Sequence, residues 1–113
     1  MLSTQNRLRS SKDFARVTKT GHRATTASLV LYLKNDQSFQ PEPQIGLIVS
    51  KAIGGSVIRH SVARKLRHAS RNLLPLIPQH SQLVIRVIGA SEDYPGELQQ
   101  TITKIASRLG AAK

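Results

Sequence analysis

The sequence predicts an α+β fold, a two-layer α/β sandwich with helices laid on one face of a small sheet. Three short segments alternate side chains at the strand period, and two longer segments place apolar residues every three or four positions. The order along the chain is helix, strand, strand, helix, strand, helix, which suits a sheet covered by helices. With 113 residues the chain makes one domain, 1–113, able to bury a single modest core.

Ser10 opens the first helix as a cap, Asp13 suits its first turn, and the helix ends by Gly21. Phe14 and Val17 share one face of it. A strand follows over Ala27 to Lys34, with Leu29, Leu31 and Leu33 on one side and Val30, Tyr32 and Lys34 on the other. Asn35 to Pro43 is a loop by composition, and a second strand runs from Gln44 to Ser50. Gly54-Gly55-Ser56 leads into the longest helix, over Val57 to Asn72, whose apolar stripe is Ile58, Val62, Leu66, Ala69 and Leu73. Pro75 and Pro78 stop it. A third strand covers Gln82 to Ile88, and the last helix carries Leu98, Ile102, Ile105 and Leu109 on one face.

Charge narrows the function. The 17 Lys and Arg against 6 Asp and Glu leave a formal net charge of +11, which calls for a polyanionic partner, nucleic acid first and an anionic membrane surface second. No acidic residue lies between Glu42 and Glu92, a window holding Lys51, Arg59, Arg64, Lys65, Arg67, Arg71 and Arg86. Arg7, Arg9, Lys12, Arg16, Lys19, Arg23 and Lys34 face only Asp13 in the N-terminal third. Such cations lack local carboxylate partners and stay available for phosphates. On the long helix, His60, Arg64, Arg67 and Arg71 fall opposite the apolar stripe, Lys65 and Arg59 flank it, and His68 stands beside the basic row. That helix docks its apolar side on a sheet and offers guanidinium groups to a phosphate backbone. Without an aromatic anchor it is a poor membrane-surface helix.

Other chemistry finds no support. The absence of cysteine rules out a disulfide framework, a zinc ribbon and a thiol nucleophile, and fits a reducing compartment, expected to be the cytoplasm. The longest apolar runs, about seven residues, are too short for a membrane span, and no signal-peptide core stands at the N-terminus. The six acids are too scattered for a two-metal nuclease site, and His22, His60, His68 and His80 form no catalytic pair or metal-ligand spacing. Lys51-Ala52-Ile53-Gly54-Gly55 is no Walker loop, because the Gly-Lys-Ser/Thr ending is missing. These residues describe a binding protein with no catalytic residue of its own.

Asn6-Arg7-Leu8-Arg9, Asp13-Phe14 through Gly21, Val30-Leu31-Tyr32, Ile45 through Lys51, and Gly54 to Arg67 together resemble the protein subunit of bacterial ribonuclease P over nearly the whole chain. The resemblance implies a small mixed sheet with parallel strands joined by a left-handed β-α-β crossover, against the general rule of handedness. It also implies a partner RNA that hydrolyses precursor tRNA using Mg2+, none of which the protein alone would hold. The protein would bind ribonuclease P RNA and the 5′ leader of precursor tRNA, with no obligate protein partner and no membrane. The RNA-binding residues are then Lys51, Arg59, His60, Arg64, Lys65, Arg67, His68 and Arg71, of which Arg59, Arg64 and Arg67 match the family signature and the others follow from their place on the helix or before it. By resemblance Phe14 and Tyr32, with Val17 on the same helix face as Phe14, would meet the leader. The family signature reads Arg-Asn-Arg and continues with Lys-Arg; here His60, Ser61 and Ala63 replace Asn, Arg and Lys, so two cations are lost, and Lys65 and His68 compensate in part. The alternative function is a small ribosomal or general RNA-binding protein without a catalytic role.

Overall fold

The computed structural model describes residues 4–111, with side chains over 5–108. Three helices, α1 (Ser11–Thr20), α2 (Ser56–Leu73) and α3 (Tyr94–Ala111), accompany four strands, β1 (His22–Thr25), β2 (Leu29–Asn35), β3 (Gln44–Val49) and β4 (Ser81–Val87). The sheet order is β1-β2-β4-β3. The first two pairings are antiparallel and β3 lies parallel to β4, so α2 is the crossover between neighbouring parallel strands. The mixed α+β architecture agrees with the sequence-based expectation.

Alternation along the strands sorts the two faces. Leu29, Leu31 and Leu33 of β2 and Leu83, Ile85 and Val87 of β4 join Val62, Leu66 and Ala69 of α2 and Leu98, Ile102 and Ile105 of α3 in the main core. Each fully buried Leu, Ile or Val contributes about 1.5–3 kcal/mol. The opposite face is not bare, as a two-layer arrangement would leave it. Here Val84 packs with Leu8 and Val17 in a second small core, with Phe14, Tyr32 and Ile48 around it. Thus α1 covers one face of the sheet while α2 and α3 cover the other. The expectation that all helices share a face is corrected: Val17 is fully buried on the far side.

Two other local expectations change. β1 pairs with β2 although the sequence shows no strand there; only its Ala24 is buried, so apolar alternation had nothing to register. The strand placed at Ala27 begins at Leu29, because the Thr26 hydroxyl accepts the Leu29 N–H at 3.1 Å and the Thr26 N–H donates to the Leu29 carbonyl at 2.8 Å, closing a hairpin turn. On α2, the apolar stripe stops short of the helix start: Ile58 is 53% exposed instead of joining the core. The side chain of Leu109 lies outside the described residues.

Candidate nucleic-acid interface

Burial of Val62, Ala63, Leu66, Ala69 and Ser70 fixes the rotation of α2 about its axis. That rotation leaves His60, Arg64, Lys65, His68 and Arg71 exposed, with Arg59 and Arg67 half-buried at the margins. Lys51 stands exposed in a short 3-10 turn, Lys51–Ile53, that leads toward the helix. Among the described residues no cation of α2 forms an ion pair, and the Arg59 Nε–H is buried without an acceptor. The exposed cations of this face therefore have donors to spare for phosphate oxygens.

A concavity forms at the start of β3, from segments far apart in sequence. The Leu8 N–H donates to the Ile45 carbonyl at 3.0 Å, Arg7 bridges Ile45 in parallel, and the Asn6 amide donates to the Pro43 carbonyl at 2.8 Å. Leu8 is buried, which orients its neighbours Arg7 and Arg9 into a cleft with Phe14, Gly46 and Arg67. The Phe14 ring lies directly on Gly46: a Cβ at that position would stand 2.3 Å from Phe14 Cζ. A side chain there is therefore incompatible with the ring's position. The half-buried aromatic is held with the far end of its ring against the Gly46 backbone, in a cleft lined by three guanidinium-bearing residues.

The sheet register places Gly46, Val84, Tyr32 and Arg23 in one row across the four strands. Tyr32 is thus half-buried on the same face as Phe14, with the Arg23 guanidinium 6.0 Å from its ring centroid. Val17 behaves differently from its proposed role. At 0% exposure it packs between α1 and the sheet and offers no surface to a leader, so its assignment as a leader-binding residue is withdrawn. Arg7 and Arg9 were missed as site residues, and the polar–apolar–polar alternation around Leu8 was the signal that could have found them.

A second concavity runs between the outer edge of β3 and α2, lined by Val49, Ser56, Arg59, His60 and Arg67 among others. It shares Leu47 and Arg67 with the Phe14 cleft. Arg67 is therefore the residue common to the helix surface and the cleft. Among the described residues no set of three or more His, Asp or Glu side chains gathers as metal ligands, and no helix is long and apolar enough to cross a membrane.

The ribonuclease P family model matches residues 2–110. The chain belongs to the ribonuclease P protein family. Curated relatives agree along the whole length: the chain is 39% identical to the ribonuclease P protein component of Mycolicibacterium gilvum, covering 100% of this chain and 96% of that one. It is 37% identical to that of Streptomyces avermitilis, over 96% and 95% of the two chains. Solved structures share the fold. The RNase P protein from Staphylococcus aureus superposes with a TM-score of 0.69 at 24% identity, covering 94% and 92% of the chains. The one from Thermotoga maritima gives 0.64 at 19%, covering 94% and 93%. In its family role the chain is a subunit of the ribonuclease P endoribonuclease, working with ribonuclease P RNA in tRNA 5′ maturation.

Proposed function

We propose that the chain divides its work between two surfaces. The exposed face of α2, with Lys51, docks on ribonuclease P RNA through Arg59, His60, Arg64, Lys65, Arg67, His68 and Arg71. The cleft at Gly46, lined by Phe14, Arg7, Arg9 and Arg67, receives the 5′ leader of precursor tRNA, with Tyr32 further along the same sheet face as Phe14. The observation that carries this reading is the Phe14 ring seated on Gly46 beside three arginines. A flat aromatic takes a base of any identity by stacking, worth about 1–3 kcal/mol, while neighbouring guanidinium groups track the phosphates.

In this mechanism the protein moves no proton and supplies no nucleophile. Its cations neutralise phosphates that would otherwise repel substrate from RNA, and the aromatic cleft fixes the leader's direction relative to the bond that is cut. Magnesium is carried by the RNA: the acids of this chain, dispersed as Asp13, Asp36, Glu42 and the group Glu92, Asp93 and Glu97, make no matching ligand set. The assembly works in the cytoplasm.

Reconstitution tests the reading. Purified protein, the ribonuclease P RNA of Mycolicibacterium gilvum and a precursor tRNA are combined at low magnesium, and a single cut at the mature 5′ end is expected to accelerate. No stimulation would count against it and favour a general RNA-binding role. Phe14→Ala should weaken holoenzyme binding of precursor tRNA by about 1–3 kcal/mol while leaving leaderless tRNA unaffected. Equal losses for both substrates would remove Phe14 from the leader path.

A further inference from the structure

The start of α2 carries an apolar surface that neither core uses. Val57 is 81% exposed and Ile58 53% exposed, the two most exposed large apolar side chains among the described residues. Ile58 is not loose. It lies over Gly54, whose φ of +152° is open to glycine and where a Cβ would come within 2.9 Å of Ile58 Cδ1. The turn before α2 is thus shaped to seat Ile58 on backbone, beside the more prominent Val57.

The surroundings decide what covers this patch. Lys51 is exposed in the preceding turn, His60 and Arg64 follow on the helix, and no acidic residue occurs from 43 to 91. A second copy of the chain would bring like charges together, and the partner with which the family works is an RNA. Nucleic acid supplies both, anionic phosphate and the planar face of a base. The first turn of α2 adds to the match, because Gly55 at its cap gives no side-chain hydrogen bond and no acid occupies the turn, so its backbone N–H groups favour an anion.

We propose that Val57 and Ile58 form an apolar wedge that packs against an unpaired base of the ribonuclease P RNA, whose phosphate lies by the α2 N-terminus and Lys51. This rests on the reading of α2 as the RNA-docking helix and adds a contact that its cations do not make. It assigns a salt-independent part of affinity to two residues, one of which, Ile58, periodicity places on the core-facing stripe. The two lost signature cations are thereby offset in part by apolar contact.

The experiment compares binding of the Mycolicibacterium gilvum ribonuclease P RNA by the wild type, by Val57→Ser/Ile58→Ser and by Arg64→Ala over a range of KCl. The apolar double variant should bind about five- to tenfold more weakly at every salt with an unchanged salt slope. Arg64→Ala should instead lower the slope by about one. Both Val57 and Ile58 lie outside the cores, so circular dichroism of the double variant should match the wild type. The chain has no cysteine, so Val57→Cys carries a single photocrosslinker, which should mark unpaired nucleotides of the RNA. Equal affinity of wild type and double variant, or crosslinks that join two protein chains, would overturn the wedge. Failure of the wild type to bind the RNA would instead overturn the docking role of α2.

Discussion

The basic face of α2 and the cleft under α1 are both rich in arginine, yet they are built in different ways. On α2 one continuous segment writes the whole surface: the burial of Val62, Leu66 and Ala69 sets the rotation, and the cations follow from it. The cleft has no such author. Phe14 comes from α1, Arg7 and Arg9 from the strapped N-terminal segment, Gly46 from β3 and Arg67 from α2, each delivered by tertiary contact. A surface made by one helix tolerates exchange of its parts, since losing one cation leaves the others in place. A cleft made from four segments depends on the close approach at its centre.

The largest effect is expected at that centre. Gly46→Val drives a side chain into the Phe14 ring and should cost about 1–3 kcal/mol of stability. In the variant that remains folded, preference for leader-bearing over leaderless tRNA should collapse while affinity for the RNA subunit holds. Thermal unfolding with the two binding assays checks this, and an intact preference would show that the ring position is immaterial. Next comes the joint between the regions. Arg67→Ala should reduce both RNA-subunit affinity and leader preference, each by about 1 kcal/mol, whereas Arg64→Ala should reduce only the first. If the two variants behave alike, the regions are independent and the comparison loses its link.

The smallest effect lies outside both regions and serves as their control. A hydrogen bond from Ser91 holds the Glu97 carboxyl below its ordinary value near 4.5, burial opposes the shift, and Thr26, whose hydroxyl donates at 2.7 Å, adds to it. A lowered folded-state value stabilises the fold above the ordinary carboxylate range and withdraws that support as pH falls through it. Glu97→Gln should therefore cost less than about 1 kcal/mol at neutral pH and flatten the loss of melting temperature on acidification, with RNA binding unchanged. A variant whose acid limb matches the wild type would dismiss Glu97 from the acid response.

The same contrast explains which parts were legible in the sequence. The three strands with alternating apolar residues and the long helix emerged close to their boundaries, 57–72 against Ser56–Leu73, because periodicity and burial agree there. β1 stayed hidden, since pairing with β2 builds it and only Ala24 among its residues is buried. Val17 was misassigned for a related reason: two apolar residues three apart on α1 look equivalent, and only the sheet beneath decides that one is core and the other cleft. Ile58 shows the converse failure, where helical spacing runs on past the end of the core. The roles carried over by resemblance named Phe14 and Tyr32, while Arg7 and Arg9 needed the bridge to Ile45 to become part of a site.

The run of unpaired cations on α2 has a thermodynamic side as well. Arg64 and Arg67 are three apart, Arg67 and Arg71 four apart, and no carboxylate stands among them. Each like-charged pair at such spacing opposes the helix by about 0.2–0.5 kcal/mol, an internal pressure that dissolved counterions relax. Salt should therefore act with opposite sign on the two properties of this molecule, raising the melting temperature of the free protein while weakening its grip on RNA. Binding does what salt does, but with a fixed array of phosphates. On the docking proposed above, the helix is most stable with the RNA on it, and its unfolding is thermodynamically tied to release of the RNA.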